Sequence, residues 1–189
     1  MASFDKAIPV ILQHEGGWVN NPNDPGGATN YGISLRFLAE HPEDGDFDGD
    51  GDVDAEDIKG MSVDDAKKIY NKYWWVKYGY GKLNDQTIAT KVFDFSVNMG
   101  ASRAHKLLQQ ALNKAFGLKL TVDGILGPAS FSVLNSIADG DQEQKLITAY
   151  CNEAWAFYQG LVANNPKLAV FQKGWKNRAY SISVANTYS

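Results

Sequence analysis

The chain of 189 residues is 44% hydrophobic and 12% aromatic, which suits one compact globular unit, or two small lobes sharing a core, and excludes a disordered chain. No apolar run nears the roughly 18 residues of a membrane span, the first residues lack the charged start and apolar stretch of a signal peptide, and a single cysteine, Cys151, with three histidines excludes an internal disulfide and argues against structural zinc. The net charge of -4 is uneven: residues 43–57 hold nine acids and no base, leaving 13 acids against 18 bases elsewhere, a balance that suits an anionic polymer such as a bacterial cell wall or nucleic acid.

The first predicted element is a helix over residues 3–14, with Ser3 as its cap and Pro9 expected to kink it or delay its start. Phe4, Ala7, Ile8, Ile11 and Glu15 fall on one side at the offsets of a buried stripe. Glu15 therefore carries a carboxyl to the point where an apolar face runs out into Gly16-Gly17. A carboxyl against apolar neighbours resists ionising, which suits a proton donor near neutral pH; a helix-terminal Glu in solvent is the plain alternative. His14 beside it reads as a surface or packing residue. Residues 16–33, rich in Gly, Asn, Pro and Asp, predict a small hairpin or an extended loop. Ser34 then caps a short helix to about Glu40, which Pro42 ends.

The stretch Asp46-Phe-Asp-Gly-Asp-Gly-Asp-Val-Asp-Ala-Glu-Asp57 matches the calcium loop of an EF-hand. Asp46, Asp48 and Asp50 supply carboxylates at loop positions 1, 3 and 5, and Gly51 permits the sharp turn. Asp52 offers its backbone carbonyl, Val53 points inward and Asp54 acts through water. Asp57 closes the loop where EF-hands have Glu, a departure that resembles the shorter dockerin-type loop. One structural calcium ion is the expected cofactor, because so many carboxylates repel one another without a cation.

Ser62 and Asp65 form a capping-box start to a helix rich in aromatics. Ile69, Tyr73 and Val76 make one stripe and Tyr70, Trp74 and Tyr78 another, with a surplus that can line a groove. A helix from about Asp85 to Met99 buries Ile88, Val92, Phe95 and Met99, with Asp94 making a structural hydrogen bond. The next, from Ala101 to Phe116, is closed by Gly117. Pro128 opens a helix carrying Phe131, Leu134 and Ile137. Ile147, Tyr150, Ala154, Phe157 and Leu161 mark a long helix, and Leu168, Phe171, Trp175, Ala179 and Ile182 a last packed segment with Gly174 as a candidate interruption. Arg178 reads as a stem packed over Trp175. The fold class is mainly α, with a small β-hairpin or loop region after the first helix.

Glu15-Gly-Gly-Trp18, then Asp24-Pro-Gly-Gly-Ala-Thr29-Asn-Tyr31-Gly-Ile33, resembles glycoside hydrolase family 108, a group of bacterial and phage N-acetylmuramidases. The order Glu, Asp, Thr is also similar to that of phage lysozymes. Phe93-Asp-Phe-Ser-Val-Asn98-Met-Gly100 resembles the family's central helix, and Val122-Asp-Gly-Ile-Leu-Gly-Pro128 the turn of its peptidoglycan-binding-like region. The resemblance implies a lysozyme-like helical fold, with a catalytic region over 1–95 and a helical peptidoglycan-binding-like region over 96–189. The acidic loop at 44–57 looks like an insertion. The implied reaction is hydrolysis of the β-1,4 bond between N-acetylmuramic acid and N-acetylglucosamine for host cell lysis. Glu15 is the expected general acid. Asp24 is the base or electrostatic stabiliser, or else a turn former, and Thr29 holds the attacking water or is structural.

Trp18, Tyr31, Trp74 and Asn98 are the expected substrate contacts. The expected partner of this monomer is peptidoglycan, with no nucleic acid and no membrane insertion. The protein is expected to be made in the cytoplasm of an infected or lysogenic bacterium and to act on the periplasmic wall. A lytic transglycosylase and a non-catalytic, calcium-dependent wall-binding module are the alternatives.

Overall fold

The computed structural model describes residues 1–19, 27–137 and 140–181. Packing divides the chain into two units, one of Ile8–Tyr73 and one of Met1–Ala7 with Trp74–Ser189. Helix α1 (Phe4–Glu15) contributes its first turn to the second of these and the remainder to the first. It starts at Phe4 and runs through Pro9, so the proline does not delay the start. The described residues form a mainly helical fold, as the residue patterns require. No helix among them is long and apolar enough to cross a membrane.

In the Ile8–Tyr73 unit, α1 leads to a two-stranded antiparallel hairpin of β1 (Thr29–Asn30) and β2 (Ile33–Ser34). Ser34 caps α2 (Leu35–Ala39), its hydroxyl accepting from the Phe37 N–H at 3.2 Å. A 3-10 turn at Pro42–Asp44 enters the acidic loop, which ends at α3 (Ala55–Gly60). The Ser62–Asp65 capping box starts α4 (Val63–Tyr70) as expected.

The aromatic run then departs from the expected stripes. A π-helical segment over Asn71–Val76 follows α4, and its wider turn slips the side-chain register. Trp75, which lies on neither stripe, is thereby buried, while Val76 is 66% exposed and parts from Ile69 on its stripe, which is buried.

The other unit packs α5 (Gln86–Met99), α6 (Ala101–Phe116), α7 (Pro128–Ser136), α8 (Asp141–Asn164) and α9 (Gln172–Tyr180). Helix α5 is its centre: every residue from Thr87 to Ser96 is buried. In α8 the buried stripe is Ile147, Tyr150, Cys151, Ala154 and Tyr158, so Tyr158 takes the inward place expected of Phe157. Gly174 does not interrupt α9, and Phe171 is 54% exposed because Pro166–Phe171 winds as a 3-10 helix, whose three-residue turn breaks the α spacing. Ile182 lies outside the described residues.

Among the described residues of this unit, two buried polar clusters stand out. Arg178 pairs with Asp94: its Nε and Nη2 donate to Asp94 Oδ1 at 3.1 and 2.9 Å, both groups being buried. Lys91, also buried, donates from Nζ to the carbonyls of Arg178 and Ser181 at 2.8 and 2.7 Å. Burial pushes its pKa down, against the opposing pull of Asp94.

The second cluster joins the Tyr80 hydroxyl to Ser96 Oγ at 2.7 Å and His105 Nε2 at 2.8 Å, with His105 Nδ1 3.0 Å from the Gly124 carbonyl. The carbonyl only accepts, so Nδ1 carries the proton. Burial pushes the His105 pKa below its ordinary value, opposed by the Gly124 hydrogen bond. The unfolded chain then binds a proton near pH 6.5 that the folded protein refuses. Stability attributable to this group is complete above about pH 6.5 and is lost as pH falls toward the depressed folded value. Thermal melts between pH 7.5 and pH 5 should show that decline, and His105→Gln should flatten it.

Candidate active site

Glu15 is the last residue of α1, on the side that carries the buried Ile8 and Ile11, and is itself half-buried. The helix stops there because Gly16 turns left-handed at φ +73°. The Glu15 carboxyl thus stands at the edge of an apolar face, as the residue spacing requires.

The β1–β2 hairpin is the wall beside it. Asn30 pairs with Ile33, and the two residues between them, Tyr31 and Gly32, have φ of 48° and 78°, the signature of a type I′ turn. Gly32 comes so close to Glu15 that a Cβ there would lie 2.6 Å from Oε2 and 2.7 Å from both Cβ and Cγ. The turn is held from two helices. The fully buried Tyr70 of α4 donates its hydroxyl to the Tyr31 carbonyl at 2.8 Å, and the Asn30 side-chain amide donates to the Ile58 carbonyl of α3 at 3.0 Å.

Thr29 lies on the same hairpin, between Ser34 on one side and Val19 on the other. It exchanges both backbone bonds with Val19 at 2.8 Å. Trp18, at 40% exposure, is next to that bridge, and Tyr31 is half-buried. Glu15, Trp18, Thr29 and Tyr31 therefore share one unit. Asp24 lies outside the described residues. Trp74 and Asn98 belong to the other unit, where Asn98 Oδ1 accepts from the Tyr158 hydroxyl at 2.5 Å. Sequence reasoning missed Gly32 as a neighbour of Glu15, and Asn30 and Tyr70 as the residues that hold its turn. The one signal was Tyr31-Gly32 between two short strand-formers, which reads as a hairpin turn but names no contact.

The acidic loop belongs to the same unit. Its carboxylate oxygens gather in two groups, Asp46, Asp48 and Asp50, and Asp52, Asp54 and Asp57, each within 4.8 Å. Asp57 is buried and closes the loop: Oδ1 accepts from the Phe47 and Asp48 N–H groups at 2.6 and 3.3 Å, and Oδ2 from Asp54 N–H at 2.9 Å. Asp50 beside Asp52 holds the Asp52 carboxyl above its ordinary pKa, with burial and Asp54 adding to the effect. At the loop entrance Lys72 and Tyr73 hold Asp44 below its ordinary value by hydrogen bonds.

Residues 8–100 match the family model of glycosyl hydrolase 108, and residues 103–180 match that of a predicted peptidoglycan domain. The chain belongs to the glycosyl hydrolase 108 family. Among solved structures it is similar to SagA of Brucella abortus, at 28% identity and a TM-score of 0.74, over 98% of this chain and 95% of that one. No significant match was found among curated proteins. As a glycosyl hydrolase 108 member with a peptidoglycan domain, the protein is a glycoside hydrolase acting on peptidoglycan. Glu15, Thr29 and the acidic loop all fall within the matched catalytic segment.

Proposed function

We propose that this peptidoglycan hydrolase cleaves the β-1,4 bond between N-acetylmuramic acid and N-acetylglucosamine, with Glu15 as general acid. The observation that carries the reading is the half-buried Glu15 carboxyl at the end of an apolar helix face, walled by a glycine turn. Glu15 gives its proton to the departing glycosidic oxygen as the sugar takes on oxocarbenium character. Asp24 stabilises that charge or activates water, and Thr29 holds the water. Trp18 and Tyr31 flank the same wall and offer ring faces to the sugars. Digestion of purified peptidoglycan followed by mass analysis tests the reading. Fragments ending in reducing N-acetylmuramic acid support it, while anhydro-sugar ends, lighter by one water, would assign a lytic transglycosylase instead.

The same reading makes the protein a monomeric lytic enzyme, made in the cytoplasm of an infected or lysogenic bacterium and active on the periplasmic wall. The basic balance outside residues 43–57 supports attraction to an anionic wall. Lysis on induction in a host supplied with a membrane pore, but not without one, tests it.

We further propose that the acidic loop takes one calcium ion through Asp46, Asp48, Asp50, Asp52, Asp54 and Asp57, as a structural cofactor. An all-oxygen donor set suits this hard cation, and the mutual repulsion felt by Asp52 is what a cation relieves. An ion bound only by the folded state adds stability by mass action, about 2.7 kcal/mol at a hundred times its Kd. Millimolar calcium should therefore raise Tm and EDTA lower it, with Asp46→Asn/Asp48→Asn abolishing the response. Equal melting temperatures in calcium and EDTA would remove the proposal.

A further inference from the structure

We propose that Gly32, Tyr70 and Asn30 are positioning residues for Glu15, a clamp that fixes its carboxyl by pressing the Tyr31–Gly32 turn along it; the inference rests on Glu15 being the general acid. The approach of the Gly32 backbone is close along the whole side chain, because an added Cβ would meet Glu15 at Cβ, Cγ and Oε2 alike, within 2.7 Å. Only glycine combines that approach with a φ of +78° at no steric cost.

The turn is not left to hold itself. Tyr31 sits at φ 48°, a conformation that side chains other than glycine adopt at a cost, and such strain persists where surroundings over-determine it. Here they do so through two hydrogen bonds on the hairpin. Tyr70, fully buried, takes up the Tyr31 carbonyl at 2.8 Å. Asn30, buried, reaches the Ile58 carbonyl at 3.0 Å, which lies in the last turn of α3, where carbonyls lack a partner within the helix. Two anchors in two helices leave the turn one position, and Gly32 passes that position to the carboxyl. A proton donor must lie within hydrogen-bond reach of its acceptor, and a misplacement of about 1 Å costs on the order of a hundredfold in rate. A turn that merely closed a hairpin would need neither the contact with Glu15 nor the two anchors.

The test compares Gly32→Ala and Tyr70→Phe with Gly117→Ala, a residue at φ +67° with nothing within 4 Å of an added Cβ. Gly117→Ala bears the same backbone strain far along the chain, so it controls for strain alone. Gly32→Ala should lower kcat on peptidoglycan about ten- to a hundredfold with KM within about twofold, and should shift the alkaline limb of the kcat–pH profile, which reports the acid. Tyr70→Phe should lower kcat several-fold and move the same limb. Gly117→Ala should lower Tm and leave kcat and the limb in place. If Gly32→Ala does not fold, Tyr70→Phe decides alone. Unchanged kcat and pH limb in the folded variants, with Glu15→Gln inactive, would overturn the clamp and leave the acid in place. An active Glu15→Gln would overturn both.

Discussion

Replacing Glu15 with Gln is expected to reduce peptidoglycan hydrolysis by about two to four orders of magnitude, the contribution of a positioned general acid, while the protein stays folded. The amide keeps the length and nearly the shape of the carboxyl, so it fits the same gap beside Gly32. It has no acidic proton to give to a departing alkoxide. The variant should therefore melt within about 2 °C of the parent, less than the shift from 1 kcal/mol in a protein of this size. It should also still sediment with cell walls, since residues 103–180, which match the peptidoglycan domain, are untouched. Release of soluble fragments from purified peptidoglycan, read beside the melt and the sedimentation, separates lost chemistry from lost binding. Glu15→Asp makes a useful companion, because it keeps the acid and withdraws it by one methylene, and it should also be severely impaired.

The largest effect on stability is expected at Arg178. Its guanidinium and the Asp94 carboxylate are 9% and 1% exposed, and 84 residues separate them in sequence. Breaking a buried pair by removing one partner costs about 3–5 kcal/mol, because the other charge stays buried. Arg178→Ala should accordingly lower Tm by roughly 6–20 °C. The Arg178→Met/Asp94→Leu double variant removes both charges and keeps most of the volume, so it should lie much closer to the parent than Arg178→Ala. Lys91 modulates the outcome, since it donates to the Arg178 carbonyl and its charge interacts with that of Asp94. Chemical denaturation of the single and double variants measures the coupling directly.

What could be read from the chain was what local physics determines. The Glu15 stripe, the Ser34 cap and the Ser62–Asp65 capping box each depend on residues within one or two turns of one another, and the structure has them where their spacing requires. The Asp94–Arg178 pair has no local signature, because its partners come from helices far apart in sequence. The hairpin turn was foreshadowed by its glycine, yet that the glycine backs Glu15 depends on how the hairpin packs on α1, which no pattern within residues 27–34 encodes. Phe171 and the stripes drawn through the aromatic run were misjudged for another reason. Both readings assumed a 3.6-residue period where the backbone winds as a 3-10 or π helix, and a hydrophobic pattern carries no mark of that change.

The π-helical segment at Asn71–Val76 has a consequence for how this chain is compared with its relatives. An i→i+5 turn holds one residue more than an i→i+4 turn, so it is where an ordinary helix absorbs a one-residue insertion without disturbing the residues before it. Removing a residue there would restore the α period and rotate the following positions by about 100° relative to those before. Homologues one residue shorter should place their gap within 71–76, and the residue aligned with Trp75 by simple counting would then be the wrong one.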